Sequence, residues 1–331
     1  MHAVVLFSGC GGSDLGLQQA GYTTSGYEID PWLCAKATQA GCVATQMDLS
    51  VETPTETCDH LHISAPCQGY SRSATPSPKH AAIKQLTVRS AEILVDMKPA
   101  TFTFENVLEA QRSSAFDTFI SIAIRAGYDI LGFSVDGSRV GCAQIRHRLF
   151  LIGLRHSETS FDALQALIPQ IKRTMQTAQR TVIKDVVPEI TMPIFLYPRN
   201  RQSKSLFPPE GCLPTIRRMA LAPPSPSCFT VQPVYTIGLT PDHDQISDAI
   251  VLDEELAARL SGFPRGHFQF KRRERCRWST ALGNIVPPPM QRYVMGLVAE
   301  VRAHAGDPHE AGSYHYAKFS LSRSKSGISG D

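Results

Sequence analysis

Apolar and polar positions alternate in short blocks through the first half of the chain, and the blocks follow two different periods. Ala3 to Phe7, Thr24 to Glu28, Val43 to Asp48, His62 to Ser64 and Thr101 to Glu105 are short runs that read as strands. Ser13 to Ala20 reads as a helix that Ser13 or Asp14 would cap. A second helix is predicted to start near Pro31, where proline suits the first turn. Ile83, Leu86, Ile93, Leu94 and Met97 form a helical stripe, and Leu149 to Gly153 is one more buried run. Strand and helix alternating at this pace predict an α/β fold built on a parallel, doubly wound sheet. Ligands then belong at the carboxyl ends of its strands.

After about His156 the texture changes. Prolines accumulate from Pro188 to Pro226, helical periodicity weakens, and short β-like runs such as Ile190 to Leu196 appear. This predicts a second, smaller, loop-rich domain. Helical patterning returns at Leu252 to Leu260 and from Pro289 to Arg302, and the Ser/Gly-rich tail beyond His304 is expected to be mobile.

Composition narrows the class. With 42% hydrophobic and 19% charged residues in 331, the chain is an ordinary globular protein with room for two domains. No run approaches ~18 apolar residues, so no membrane span is expected. The first residues lack a basic leader and read as a strand, not a signal peptide. A net charge of +3 does not by itself announce a nucleic-acid binder. Its distribution says more: Arg155 to Arg218 holds ten Lys or Arg against five Asp or Glu, and Lys271 to Arg277 is densely basic. The nine cysteines include no C-x-x-C pair, which argues against a disulfide framework or a zinc site and for a reducing cytoplasm.

Chemistry concentrates at the predicted strand ends. Phe7-Ser8-Gly9-Cys10-Gly11-Gly12 is a glycine turn between strand and helix, suited to close approach of a ligand. The third glycine of a dinucleotide fingerprint would fall at Asp14, which tells against NAD. Glu28 and Asp48 end the next two strands, placed to accept from ribose hydroxyls and an adenine amino group. Pro66-Cys67-Gln68-Gly69 follows another strand and leads into a polar loop, Ser71 to Lys79, able to close over a substrate. Arg72, Arg146 or Arg148 would lower the pKa of the Cys67 thiol. Glu105, at the end of an aromatic strand, is expected to have a raised pKa and to carry a proton. In Gln144-Ile145-Arg146-His147-Arg148 the two arginines alternate and would point to one face.

Taken in order, these blocks resemble the DNA (cytosine-5) methyltransferase family over nearly the whole chain. Phe7, Ser8, Gly9, Gly11 and Gly12 look like its S-adenosyl-L-methionine turn; Glu28-Ile29-Asp30 and Asp48-Leu49 resemble its ribose and adenine contacts. Pro66-Cys67-Gln68-Gly69-Tyr70-Ser71 is similar to the nucleophile motif, Glu105-Asn106-Val107 to the motif that assists it, and Leu86 to an apolar cofactor contact. Gln144-x-Arg146-x-Arg148 matches the block that secures Glu105 and the target base. Arg259 to Pro264 resembles a motif bracing the recognition domain, and Gly283-Asn284-Ile285-Val286-Pro287 the last motif, which completes the cofactor pocket. Three positions depart from the usual pattern: Ser64-Ala65 before Pro66-Cys67, Ile285 for a small residue, and Leu49 for Ile or Val.

The resemblance implies a Rossmann-like methyltransferase sheet (residues 1–156 and 281–304), a target-recognition domain (157–280) and a flexible tail (305–331). It implies methyl transfer from S-adenosyl-L-methionine to carbon 5 of a cytosine in duplex DNA, through a Cys67 adduct and base flipping, with no metal. Catalytic roles would fall to Cys67, Gln68, Glu105, Asn106, Arg146 and Arg148. The cofactor would meet Phe7, Ser8, Gly9, Gly11, Gly12, Glu28, Ile29, Asp48, Leu49, Pro66, Leu86 and Asn284. Ser71, Arg72, Arg199, Arg201, Arg217 and Arg218 would touch DNA, and one of the pairs Thr181-Val182, Thr215-Ile216, Thr230-Val231 or Thr236-Ile237 would act in recognition. The implied protein is a cytoplasmic monomer of a restriction-modification type, met by its endonuclease without a stable complex. The alternatives are a tRNA cytosine-5 methyltransferase, an inactive DNA-binding relative and, more distantly, a dinucleotide oxidoreductase.

Overall fold

The first strand shows why the fold forms: along His2–Leu6 (β1), Ala3 and Val5 pack into one core cluster while Val4 and Leu6 pack into another. A strand with both faces apolar must lie inside a sheet covered on both sides. The computed structural model describes residues 1–70, 77–155, 161–195, 206–216, 250–303 and 316–318.

From β1 the chain enters α1 (Gly12–Gln19), β2 (Thr23–Glu28), α2 (Pro31–Gln39), β3 (Ala44–Gln46) and β4 (His60–Ile63). Then follow α3 (Pro78–Met97), β5 (Thr101–Asn106), α4 (Ser114–Arg125), β6 (Tyr128–Asp136), β7 (Gln144–Ile145) and β8 (His147–Arg155). Next come α5 (Phe161–Thr177), α6 (Ile183–Val186), β9 (Ile194–Phe195), β10 (Leu206–Phe207), β11 (Leu213–Pro214), β12 (Ile250–Val251), α7 (Glu254–Leu260), α8 (Arg275–Asn284), α9 (Pro288–Ala303) and β13 (Tyr316–Lys318).

The main sheet has the order β13-β6-β8-β5-β4-β1-β2-β3. It is parallel except at β8, which runs against both β5 and β6. The predicted parallel sheet thus carries one reversed strand: only residues 137–146 join β6 to β8, too few for a parallel crossover. One face carries α3 and α4, through Ile93, Leu94, Phe116 and Phe119. The other carries Leu17 of α1, four residues of α5 and the apolar stripe of α9.

Three local expectations change. Neither Ser13 nor Asp14 caps α1; Gly11 does, in a left-handed conformation at φ 88°. Both side chains turn inward, Ser13 to His62 and Asp14 to Ser8. The first described residues of the stretch expected to be loop-rich form a helix, α5, whose Leu164, Leu167, Ile171 and Met175 join the main core. Within the stretch expected to be a mobile tail, Tyr316–Lys318 pairs with β6 at the edge of the sheet. By contrast α2 starts as read, with Pro31 in its first turn and the Asp30 side chain accepting from the Trp32 amide at 2.8 Å.

Beyond the main sheet, short pairings (β10-β9-β12 and β11-β7) surround a third cluster that includes Ile183, Leu213, Leu260 and Trp278. No helix among the described residues is long and apolar enough to cross a membrane.

Candidate active site

Strands β1, β2, β4 and β5 deliver their carboxyl ends to one side of the sheet, and a cavity of about 430 Å³ opens there, roofed by α8 and the residues after it. Its walls divide into two ends by chemistry.

At one end lies the glycine turn. Phe7 leaves β1 with φ 59°, a left-handed value that a side chain seldom adopts, and so swings Ser8 and Gly9 across the strand tip. The Gly9 amide donates to Glu28 Oε2 at 3.0 Å, and the Asp30 amide donates to Oε1 at 3.0 Å. Glu28 therefore locks the turn as well as lining the cavity, and burial pushes its carboxyl up. Space above Gly9 is open: a Cβ built there meets no atom within 4 Å.

At the other end stand Pro66, Cys67 and Gln68 from the loop after β4, Glu105 from the tip of β5 and Arg148 from β8. Arg148 Nε lies 3.1 Å from Glu105 Oε1, and the Ser64 hydroxyl donates to Glu105 Oε2 at 3.0 Å. Burial raises the Glu105 pKa, partly offset by Arg148 and Arg146, in the direction expected. Asn106 points away from the cavity. Its amide donates to the Ala65 carbonyl at 3.0 Å and so holds the Cys67 loop against β5. The thiol itself departs from expectation. Burial and the Glu105 charge push the Cys67 pKa up, and Arg148 and Arg146 offset this only in part.

Several expected contacts fall elsewhere. Ile29 is 58% exposed and absent from the wall, because β2 ends at Glu28 and the next side chain faces solvent. Asp48 turns back on Ser50, accepting from its amide at 3.0 Å and its hydroxyl at 2.6 Å, which holds the carboxyl below its usual pKa. Leu49 is spent in the core beneath α3, and half-buried Leu86 lies off the wall. Asp30, Trp32 and Leu33 line the cavity instead. The D-P pair that caps α2 was visible in the sequence; its consequence, turning Trp32 inward, was not.

Gly11 and Gly12 serve packing: a Cβ on Gly12 would lie 2.3 Å from the Val286 carbonyl oxygen. Arg146 does not join Arg148. It is fully buried between β7 and β8 and donates to the carbonyls of Gly283 at 3.2 Å and Ile285 at 2.6 Å. It thereby fixes the segment that brings Asn284 to the wall. Arg277, invisible as a site residue in sequence, reaches across 247 positions to Asp30 at 2.9 Å and stacks 4.4 Å above the Trp32 ring. Ser71, Arg72, Arg199, Arg201, Arg217 and Arg218 lie outside the described residues, as do Thr230-Val231 and Thr236-Ile237. Of the other pairs, Thr215 donates to the Ile145 carbonyl at 2.8 Å beside buried Ile216, and the Thr181 amide donates to the Ser138 carbonyl.

A family model for C-5 cytosine-specific DNA methylases matches residues 1–206. The chain belongs to that family. As a C-5 cytosine methylase it is a DNA (cytosine-5) methyltransferase and draws its methyl group from S-adenosyl-L-methionine. Among curated relatives, the methylase is 28% identical over 244 residues to the type II methyltransferase M.HgiDI of Herpetosiphon aurantiacus, covering 70% of this chain and 76% of that one. It is 27% identical over 227 residues to M.HindV of Haemophilus influenzae, covering 66% and 72%. Its fold is shared with S. pombe Dnmt2 (TM-score 0.61, 17% identity, 90% of this chain and 98% of that one). The Entamoeba histolytica methyltransferase EhMeth is similar in fold (TM-score 0.61, 15% identity, 92% and 98%).

The cavity suits that methyl donor. It offers carboxylates at Glu28 and Asp30 for hydroxyl and ammonium groups, open space over Gly9, and the aromatic side chains of Phe7 and Trp32 for a purine.

Proposed function

We propose that the methylase forms a covalent bond from Cys67 to carbon 6 of a cytosine swung out of duplex DNA. The observation that carries this reading is the shared cavity: Cys67, Glu105 and Arg148 face the space that Phe7, Gly9 and Glu28 close at its far end.

Carbon 5 of cytosine is a weak nucleophile while the ring is aromatic. Addition of the Cys67 sulfur at carbon 6, with Glu105 holding or supplying a proton at ring nitrogen 3, turns the base into an enamine nucleophilic at carbon 5. Bound S-adenosyl-L-methionine supplies an electrophilic methyl group there. Transfer of the carbon-5 proton to water then breaks the carbon 6–sulfur bond, returns Cys67 as the thiolate and restores the ring. Burial, which raises the Glu105 pKa, favours the protonated form that ring nitrogen 3 can share. Arg148, already 3.1 Å from that carboxylate, steadies it and the base. Phe7, Ser8, Gly9, Glu28, Asp30, Trp32 and Asn284 would hold the cofactor. The base must leave the helix because carbon 6 is otherwise covered by stacking.

In this reading residues 1–156 and 281–304 carry the chemistry and residues 157–280 the recognition. Basic residues between Arg199 and Arg218, with Ser71 and Arg72, contact DNA. M.HgiDI and M.HindV are type II methyltransferases, which supports a role as the modifying half of a restriction system. The protein would act as a cytoplasmic monomer drawn to the nucleoid by DNA.

The deciding experiment uses DNA carrying 5-fluorocytosine, whose fluorine cannot leave as a proton does. Incubation with cofactor should give a denaturation-resistant protein–DNA adduct, lost in Cys67→Ser. An adduct that survives Cys67→Ser removes the nucleophile assignment. Competition between duplex DNA and tRNA for methyl transfer distinguishes the substrate classes.

A further inference from the structure

On the face of the sheet that meets α1 and α9, β4 and β5 carry polar residues where apolar ones would pack: His60, His62, Thr101 and Thr103, none with measurable exposure. They form one chain of hydrogen bonds. Thr101 Oγ1 meets His60 Nδ1 at 2.8 Å; His60 Nε2 meets Thr103 Oγ1 at 2.9 Å; Thr103 Oγ1 meets His62 Nδ1 at 2.9 Å; His62 Nε2 meets Ser13 Oγ at 2.9 Å. Ser13 lines the cofactor end of the cavity.

The hydrogens in this chain are not independent. Thr103 has one hydrogen, and its oxygen also accepts from Gln291 Nε2 at 3.3 Å. Of the two ring nitrogens facing it, one must be bare and the other protonated. Burial keeps both rings neutral, His62 down to about 3 and His60 well below its usual value. Only two arrangements therefore exist. In one, every donor points toward the cavity and His62 Nε2–H donates to Ser13, whose own hydrogen is left free. In the other, Ser13 spends its hydrogen on His62.

The cavity wall favours the first. Its other described hydroxyls have no hydrogen to offer: Ser8 donates to Asp14 at 2.7 Å, Ser64 to Glu105 at 3.0 Å and Thr280 to the Cys276 carbonyl at 3.1 Å. A cofactor carrying carboxylate and ribose oxygens needs donors there. We propose that Ser13 donates its hydroxyl hydrogen to an oxygen of S-adenosyl-L-methionine and that His62, set by the Thr101–His60–Thr103 chain, is the positioning residue that leaves that hydrogen free. Aligned donors reinforce one another along such a chain. The inference rests on the cavity being the cofactor site.

Calorimetric binding of S-adenosylhomocysteine to the full-length protein tests it without turnover. Ser13→Ala should weaken binding about five- to tenfold, the worth of one hydrogen bond. His62→Leu should weaken it as much, His62→Gln, which keeps a polar group near Nε2, should restore most of it, and His62→Leu should add nothing in a Ser13→Ala background. Nitrogen-15 spectra of the wild-type histidines should show Nε2 of His62 protonated and shifted by the ligand, a shift absent in Ser13→Ala; this reading stands even if His62→Leu fails to fold. Unchanged affinity in Ser13→Ala, additive losses in the double variant, or a bare His62 Nε2 in the complex overturns the proposal. Glu28→Ala serves as the control. If it abolishes binding while Ser13→Ala does not weaken it, the relay alone is wrong; if it binds normally, the cavity assignment fails and the relay with it.

Discussion

Arg148 reaches Glu105 diagonally across the antiparallel junction of β5 with β8: Glu105 stands opposite Phe150, and Arg148 is two residues further along the same face, 3.1 Å away. Reversal of β8 is what makes this possible, since it brings the start of that strand to the carboxyl end of β5.

Removing the guanidinium should therefore strike chemistry, not cofactor binding. Arg148→Met leaves the Glu105 carboxyl with Ser64 as its described side-chain partner, drives its pKa further up and removes a cation from the base-binding end. We expect kcat to fall about 100-fold or more, with S-adenosylhomocysteine affinity unchanged. Steady-state methylation beside calorimetry checks this; a loss of affinity as large as the loss of kcat would assign Arg148 to the cofactor end.

The thiol gives a prediction with a sign. Burial first, then the Glu105 charge, raises the Cys67 pKa, so little thiolate exists at neutral pH in the free enzyme. Alkylation of Cys67, followed by peptide mass spectrometry, should be slow at pH 7 and accelerate with rising pH. Glu105→Gln removes the second of those causes and should speed alkylation at fixed pH while slowing methylation about 100-fold or more. Slower alkylation in that variant would mean the two side chains do not sense each other.

How much of this was legible in the sequence follows from range. Strand ends carrying Glu28, Cys67 and Glu105 were readable because local apolar runs fix where a strand stops. Ile29 and Asp48 were misplaced for the same local reason: one or two residues beyond a strand end, side-chain direction depends on the turn, and Asp48 found Ser50 two residues on. Arg146 looked like the partner of Arg148 by alternation, but β7 ends before it and β8 begins after it, so the period does not carry through. Arg277 meets Asp30 only because α8 returns over the strand ends of the main sheet, which no local pattern encodes. The His60 to Ser13 chain was hidden because polar residues in β4 and β5 look like ordinary strand interruptions until both are placed on one face.

Two glycines in one turn should fail differently. Gly9 has φ 59° and open space, so Gly9→Ala costs about 1 kcal/mol of backbone strain yet puts a methyl group into the cavity. Gly12→Ala would press a Cβ to 2.3 Å from the Val286 oxygen and 2.6 Å from Ile285 Cγ1. It should cost about 1–3 kcal/mol and loosen the link between α1 and α9. Thermal melts and ligand binding separate them: affinity loss with little change in melting temperature for Gly9→Ala, a lower melting temperature for Gly12→Ala. The reverse pattern would exchange their roles.

Asp14 links stability to pH. It is wholly buried, accepts from the Ser8 hydroxyl at 2.7 Å, and burial raises its pKa from 3.8 to about 7. Between those values the folded protein holds a proton that the unfolded chain has released. The stability this contributes is complete below pH 4 and is lost as pH rises toward 7. At about 1.4 kcal/mol per pKa unit, a carboxylate forced to ionise above pH 7 costs at most about 4 kcal/mol. Asp14→Asn keeps an oxygen for Ser8 and removes the titration. Its melting temperature should exceed that of the wild type by several degrees at pH 8, with the difference shrinking toward pH 5. Buried His62, lowered to about 3, acts in the opposite sense between pH 3 and 6.5, but it is common to both proteins and cancels in the difference. A difference that stays flat from pH 5 to 8 would mean the Asp14 carboxyl ionises at its ordinary pKa inside the fold.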